Sequence, residues 1–528
     1  MRNIRLHSAL IVFLLGCGLA ASPASAQPST THYVDDDVTG GDGSSWPAAF
    51  QTLQEALDVA GPGDDIRVAA GRYIPTSQPT SQPAPVEPRQ VTFLLADDLS
   101  IYGGYAGASE PDNPDLRHFV FYESILSGDL NGDDYNGGDN SENAYHVVTA
   151  EGLSADAVLD GFTIVGGNAN DVAPYSDGGG LYVSSGNPAV SNCVFLWCEA
   201  YYGGAVYVDL ADPTLTNCTF LGNAALVGGA VYAFDQSDLD SINCQFIGNT
   251  AVYGGGLCTN IDCWPSIINA TFAGNEASWG AAIYNHDASR PTLANCILWG
   301  DFGGFEIIND ATSDLLATYS CIQGGWPGDG NIDQDPGFLI APDPGPDAEW
   351  GTDDDDFGDL HPASGGWCVD AGDGDAVPAE VDQDCLQNPR FFNDPNTPDS
   401  GVGDPNYVDM GAIEHVDCNA NNVPDDLDII RLTCPDCNSN GIPDECDIAS
   451  GFSDDDDGNG IPDECEEVEC PGDLDGDGDV DLSDLATLLG YYGITSGAIY
   501  ENGDLDVDGD VDLSDLAALL GYYGTVCQ

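Results

Sequence analysis

The chain has 528 residues and carries 90 acidic against 9 basic side chains, for a formal net charge of −81; all nine basic residues are Arg. With no basic patch to displace counterions from phosphate, binding to nucleic acid is excluded, as is attraction to an anionic membrane surface. Sixty-six Gly, only 2 Met and no apolar run of the roughly 18 residues a membrane helix needs argue for a β-rich chain with many tight corners.

At the N-terminus Arg2 and Arg5 precede the apolar run Ala9 to Ala21, and Ala24-Ser25-Ala26 offers small residues for a signal peptidase. The pattern predicts a signal peptide over residues 1–26 and a mature chain beginning at Gln27, secreted or held at the cell surface. Leu14-Leu15-Gly16-Cys17 also fits a lipobox, and a membrane tether is expected only by lipidation of Cys17. Eighteen Cys, seventeen of them after Gln27, suit an oxidising compartment and leave at least one thiol unpaired. Next, Thr52 to Ala60 places Leu53 and Leu57 one turn apart, which predicts a short amphipathic helix ahead of the first strand, Ile66-Arg67-Val68.

From Ser191 to Trp299 the chain repeats. Asn192, Asn217, Asn243, Asn269 and Asn295 open five similar segments, and a second register reads Gly203-Gly204-Ala205-Val206-Tyr207, Gly228-Gly229-Ala230-Val231-Tyr232, Gly254-Gly255-Gly256-Leu257-Cys258 and Gly280-Ala281-Ala282-Ile283-Tyr284. A period near 26 with two short apolar strands per repeat, each ended by Gly or Asn, predicts one coil of a parallel β-helix, with like residues stacked in columns. Phe195, Phe220, Phe246 and Phe272 are then expected to form a buried aromatic ladder. Cys193, Cys218, Cys244 and Cys296 form a column of small apolar thiols, in which Ala270 argues for packing over metal binding or disulfides. The Asn column suits corners, since Asn tolerates left-handed backbone and its amides can bond along a stack.

These repeats resemble those of the polymorphic outer-membrane proteins, whose Phe-x-x-Asn element matches Phe220 to Asn223, Phe246 to Asn249 and Phe272 to Asn275. Ile101 to Tyr105, Cys368 to Asp373 and Val408 to Ala412 look like segments of a wider group of secreted bacterial β-helix proteins. The resemblance implies a mainly β, right-handed parallel β-helix (a pectin-lyase-like solenoid) over residues 27–416, and specifies activity poorly. Many polysaccharide lyases and hydrolases use that fold. A lyase needs cationic groups, yet between Ala150 and Gly330 only His286 and Arg290 qualify, with His146 just outside. A glycosidase needs two carboxylates at a set separation. Asp209, Asp235, Asp240, Asp262 and Asp287 follow the Gly-Gly strands and are expected to line one face, with His286-Asp287 the first neighbourhood to inspect. No residue is assigned as catalytic.

From Asp417 the pattern changes, and 30 of the 90 acidic residues fall in the last 112. Three segments place oxygen ligands at loop positions 1, 3, 5, 9 and 12. They are Asp417, Asn419, Asn421, Asp425 and Asp428; Asp436, Asn438, Asn440, Asp444 and Asp447; and Asp455, Asp457, Asn459, Asp463 and Glu466. Pro424, Pro443 and Pro462 occupy position 8 and lack the amide hydrogen that pairs EF-hand loops. Residues 417–468 therefore resemble thrombospondin type 3 repeats, with Cys418, Cys434, Cys437, Cys446 and Cys465 expected in disulfides and not in a zinc site.

The final segment, 469–528, is nearly duplicated at an interval of 31 residues and resembles a type I dockerin: a calcium loop and a helix, twice. The resemblance implies one Ca2+ on Asp473, Asp475, Asp477, Asp481 and Asp484 and another on Asp504, Asp506, Asp508, Asp512 and Asp515. The backbone carbonyls of Asp479 and Asp510 would complete each set. Val480 and Val511, at position 8, would let the loops pair, and Cys470 and Cys527 flank the module. It also implies a protein partner. Leu482-Ser483 and Leu513-Ser514 replace the Ser/Thr pairs of cellulosomal dockerins, so the partner expected is another cohesin-like surface protein. The leading expectation is a calcium-binding extracellular scaffold, adhesive or carbohydrate-binding. The alternative is a dockerin-borne polysaccharide lyase or glycoside hydrolase.

Overall fold

The computed structural model describes residues 29–76, 87–110, 113–134, 139–154, 156–352, 354–431, 434–437, 442–455, 460–462, 465, 472–474, 480–494, 503, 505 and 511–524. The proposed signal segment, Cys17, Cys470 and Cys527 lie outside them. The chain divides into two compact units, one ending at His415 and the other beginning at Val416.

In the first unit, among the described residues, strands gather into four parallel sheets of ten, nine, eight and five strands. One coil runs Thr214–Thr216, Thr219–Leu221, Ala224–Val227 and Val231–Phe234, then rises to Asp240–Ile242 beside Thr214–Thr216. The five coils from Val158 to His286 thus have four strands each and not the two expected. Left-handed backbone at Asn217 (φ 54°), Gly222 (φ 58°) and Gly228 (φ 65°) bends the chain at three corners and breaks each apolar run into short pieces. The strand Ala224–Val227 buries little and so lacks the period-two alternation that marks a strand in sequence. The solenoid also opens one coil before Ile66, because Thr31–Val34 pairs in parallel with Asp65–Val68. Between them α1 (Leu53–Leu57) begins at a Thr52–Glu55 capping box and buries Leu53 and Leu57.

The columns form as expected. Phe195, Phe220, Phe246 and Phe272 stack with ring centroids 5.1, 4.8 and 4.3 Å apart. Cys193, Cys218, Cys244 and Cys296 are buried free thiols, with Ala270 in the same column. Asn217, Asn243, Asn269 and Asn295 each donate from Nδ2 to the Oδ1 of the preceding Asn at 3.0–3.2 Å. A second ladder, Asn223, Asn249 and Asn275, ends on Asp301, whose Oδ1 accepts from Asn275 Nδ2 at 2.8 Å.

Beyond Ile322 the first unit is nearly strand-free and packs along the corners of these coils. Asn295 donates to the Asp373 carbonyl and accepts its N–H (3.0 and 2.7 Å), and Thr271 Oγ1 accepts the Ala412 N–H (2.9 Å). Arg390 is wholly buried there, donating from Nη2 to the carbonyls of Asp409 and Gly411.

The second unit contains α2 (Asp425–Ile430), α3 (Asp444–Ser450), α4 (Leu482–Tyr491) and α5 (Leu513–Tyr522). Disulfides Cys418–Cys446 and Cys437–Cys465 each span 28 residues, and Cys434 is a free thiol. Around α4 and α5, Val480, Leu488, Val511 and Leu519 form a small core. No described helix is long and apolar enough to cross a membrane.

Candidate functional site

Where the five-stranded and eight-stranded sheets adjoin, side chains of successive coils wall a groove of about 570 Å³. Its lining includes Tyr202, Tyr207, Tyr232, Phe234, Tyr253 and Tyr284. Because each coil repeats its strand in register, Tyr182, Tyr207, Tyr232, Cys258 and Tyr284 occupy one column. Ring centroids in the column lie 5.6 Å (Tyr182–Tyr207) and 5.7 Å (Tyr207–Tyr232) apart, while Tyr202 and Tyr253 reach in from the other sheet, 5.6 Å from Tyr232 and 5.3 Å from Tyr284. Such a surface offers flat apolar faces with polar edges. The groove was legible in part, since Tyr207, Tyr232 and Tyr284 hold the same place in each Gly-rich motif. Tyr202 and Tyr253 also share one repeat position, just before the Gly pair, but Val227 fills it on the coil between them, so that column is not uniformly aromatic.

Acidic groups and one imidazole edge the groove. Burial pushes the Asp177 carboxyl up, the Ser176 hydroxyl that donates to it (2.6 Å) opposes this, and Asp209 adds to the rise. Burial and then Asp235 push Asp209 up as well. His286 Nδ1 lies 3.1 Å from Asn260 Oδ1 and 3.3 Å from Asp287 Oδ2, and Nε2 lies 3.8 Å from Asp310 Oδ2. Burial disfavours the Asp310 anion, yet donors from the Thr312 backbone and hydroxyl outweigh it and hold that carboxyl far below the usual range. Asp310 was not singled out in sequence, because it sits 23 residues from Asp287 in a coil whose repeat motif has faded.

The row of aspartates expected on one face is not one row. Asp209 shares a column with Phe234, Asn260 and His286, whereas Asp235 and Asp287 fall one residue later, in the turn that follows. Asp262 lies one residue further still. Asp240 stands on the ten-stranded sheet, between Thr214 and Ser266, and so on another face. Strand ends differ by a residue or two between coils, and a one-residue step turns a side chain the other way.

In the second unit the first acidic loop is drawn together. Asp417 accepts the N–H groups of Asn421 (3.0 Å) and Asn422 (2.7 Å), and Asn421 Nδ2 donates to Asp428 Oδ2 at 2.6 Å. Asn419 Nδ2 reaches Glu445 Oε1 at 2.7 Å, and Asp425 accepts the Cys418 N–H at 3.2 Å. Burial, and then the repulsion of Asp417, Asp428 and Asp426, pushes the Asp425 carboxyl up to about 7. Clustered oxygens of this kind suit a hard cation. Of the second loop, Asp436 is described, and Asp444 and Asp447 are buried on α3; Asn438 and Asn440 lie outside the described residues. Of the third, Asp455 accepts the Gly460 N–H at 3.1 Å, while Asp457, Asn459, Asp463 and Glu466 lie outside.

In the last two loops Asp473, Asp481, Asp484, Asp512 and Asp515 are described, and Asp475, Asp477, Asp479, Asp504, Asp506, Asp508 and Asp510 are not. Asp481 and Asp512 cap α4 and α5, accepting from Ser483 and Ser514 N–H groups at 2.6 and 2.7 Å. Asp484 accepts the N–H groups of Leu474 and Asp481, and Asp515 those of Leu505 and Asp512. The expected pairing of the two loops falls in part on residues 475–479 and 506–510, which lie outside the described residues. Val511 exchanges hydrogen bonds with Gly493 and Ile494 beyond α4, and the Val480 carbonyl accepts from Gly524 beyond α5. Each valine thus bonds just beyond the helix of the other half, while the two side chains share one apolar core.

No curated protein matches the chain. Solved structures that resemble it include a rhamnogalacturonan lyase (11% identity, 63% of this chain and 97% of the other, TM-score 0.31). Others are a pectate lyase (11%, 73% and 97%, TM-score 0.32) and pectin methylesterase PemA from Erwinia chrysanthemi (11%, 57% and 92%, TM-score 0.30). Residues 152–298, well under half of the chain, match a family described as the right-handed β-helix region. That stretch is similar to right-handed β-helix regions, and the parallel ladders of the first unit have that architecture.

Proposed function

We propose that the first unit is a non-catalytic glycan-binding scaffold of an exported protein, and that the second is a calcium-dependent module that anchors it to a cohesin-like protein partner. The observation that carries the glycan reading is the groove itself, where aromatic rings of neighbouring coils and of the two adjoining sheets lie 5.3–5.7 Å apart on either side of the Cys258 position. Sugar rings present apolar C–H faces that lie on aromatic planes, while their hydroxyls reach polar edges such as Asn260 and Asp177. His286 is the one group among the lining residues able to carry positive charge, so the groove favours a neutral saccharide over a uronate. The anchoring reading rests on the duplicated loop-helix halves and on Leu482 and Leu513, which are 66% and 67% exposed at matching places on α4 and α5. Calcium binding by the acidic loops rests on their ligand spacing and on the mutual repulsion around Asp425.

The test is retention of the full chain on a panel of neutral and uronate oligosaccharides. Retention of neutral members, lost in Tyr202→Ala/Tyr253→Ala with the fold intact by circular dichroism, is the expected result. No retention, or preference for uronates, refutes the reading. A degrading enzyme is the second reading, favoured by Asp177, a groove-lining carboxyl that burial and then the neighbouring Asp209 push up, as a general acid requires. New reducing ends or unsaturated products, abolished by Asp177→Asn, would establish it instead.

A further inference from the structure

The first unit holds another gathering of acidic oxygens. One carboxylate oxygen from each of Asp129, Asp133, Asp134 and Glu142 lies within 4.8 Å of all the others. From these positions we infer that the β-helix unit binds a divalent cation, calcium by its chemistry, on Asp129, Asp133, Asp134, Glu142 and the side-chain oxygen of Asn143.

Four carboxylates at such distances repel strongly. The basic group that reaches them is Arg72, whose Nη2 donates to Asp129 Oδ2 at 3.0 Å and to Ser127 Oγ at 2.8 Å. One guanidinium against four carboxylates leaves the cluster anionic. A second observation points to a ligand. Asn143 is 1% exposed and held against the cluster, its Nδ2 donating to Asp134 Oδ2 (2.9 Å) and to the Gly166 carbonyl (2.7 Å). Its Oδ1 is buried with no hydrogen-bond partner, and so is Glu142 Oε1. Two acceptors on Nδ2 fix the amide orientation, so the orphaned atom is the oxygen. A buried acceptor without a donor is costly, and a cation supplies what is missing.

The ligand set selects the ion. Four carboxylates crowded within one short stretch of chain suit calcium, which takes about six to eight oxygens in flexible geometry, whereas magnesium demands a near-ideal octahedron and keeps much of its water. The loop also repeats the ligand spacing of the first C-terminal loop: Asp129, Asn131 and Asp133 stand at positions 1, 3 and 5, as Asp417, Asn419 and Asn421 do. The Asp133 N–H donates to Asp129 Oδ1 and Asn131 Oδ1 (3.3 and 3.0 Å), and the Asn421 N–H donates to Asp417 Oδ1 and Asn419 Oδ1 (both 3.0 Å).

Hydrogen-exchange mass spectrometry on the full chain, with and without calcium, separates this site from the C-terminal loops because it reads each segment. Calcium at about ten times the Kd suppresses local opening about elevenfold, and exchange across Ser127 to His146 should slow by that factor. Asp133→Asn/Asp134→Asn should abolish the slowing there and leave any response after Val416 intact. Glu142→Gln, a milder change, should need more calcium for the same effect. A wild-type segment indifferent to saturating calcium overturns the site, as does a double variant that keeps the full response.

Discussion

Replacing Phe246 with Ala tests the register of the whole solenoid. The ring is 2% exposed and lies between Phe220 and Phe272, with centroids 4.8 and 4.3 Å away. Burying a side chain of this size contributes about 1.5–3 kcal/mol, and two stacked neighbours add about 0.5–1.5 kcal/mol each. The total, about 2.5–6 kcal/mol, brackets the ~3–5 kcal/mol observed for truncating a buried Phe. The adjacent coils are held by their own ladders, so the gap cannot collapse and the loss should fall in the upper half of that range. Guanidinium unfolding of the full chain in calcium, followed by fluorescence, reads the loss as a lower midpoint for the transition of the first unit. Phe272→Leu provides the contrast, because Leu298 already occupies the column on the next coil and a smaller cost of about 1.5 kcal/mol or less is expected. A Phe246→Ala protein with an unchanged midpoint, or one no worse than Phe272→Leu, would refute the ladder as the core of the fold.

Asp370 is wholly buried with neither carboxylate oxygen hydrogen-bonded, and burial, then Asp409, Asp399 and Asp394, push it up to about 8. Its folded value lies above its unfolded one, so the folded state retains a proton that the unfolded state releases, and stability should fall as pH rises from about 4 to about 8. Asp370→Asn should flatten that part of a melting-temperature profile and stabilise the protein at pH 8; a profile parallel to wild type would refute this. Chelating calcium should expose residues after Val416 to protease while the β-helix persists, because the acidic loops then repel without a counterion; equal resistance would refute the loop assignments. Leu482→Ala/Leu513→Ala should abolish capture of a surface partner by the full chain while either single change is partly tolerated, and undiminished capture by the double variant would remove both leucines from the recognition surface.

Much of the solenoid is determined by the sequence alone. A fixed 26-residue period forces like residues into columns, so the Phe ladder, the free Cys column and the Asn corners at 217, 243, 269 and 295 could be read without coordinates. The four-strand coil could not, because Ala224–Val227 is half exposed and gives no alternation. Nor could the opening strand Thr31–Val34, which precedes the repeats and has only Val34 fully buried. Local spacing likewise brings the oxygens of Asp417 to Asp428 together, since these residues are near neighbours in the chain. Only the tertiary structure decided what depends on register between coils: that Tyr202 and Tyr253 join the Tyr207 column in a groove, that Asp240 faces elsewhere, and that Asp310 meets His286. It also decided that Glu142 and Asn143 close on Asp129 to Asp134. Such contacts are set by how strands on separate coils align, and a shift of one residue, which leaves composition and period unchanged, turns a side chain from one face to the other.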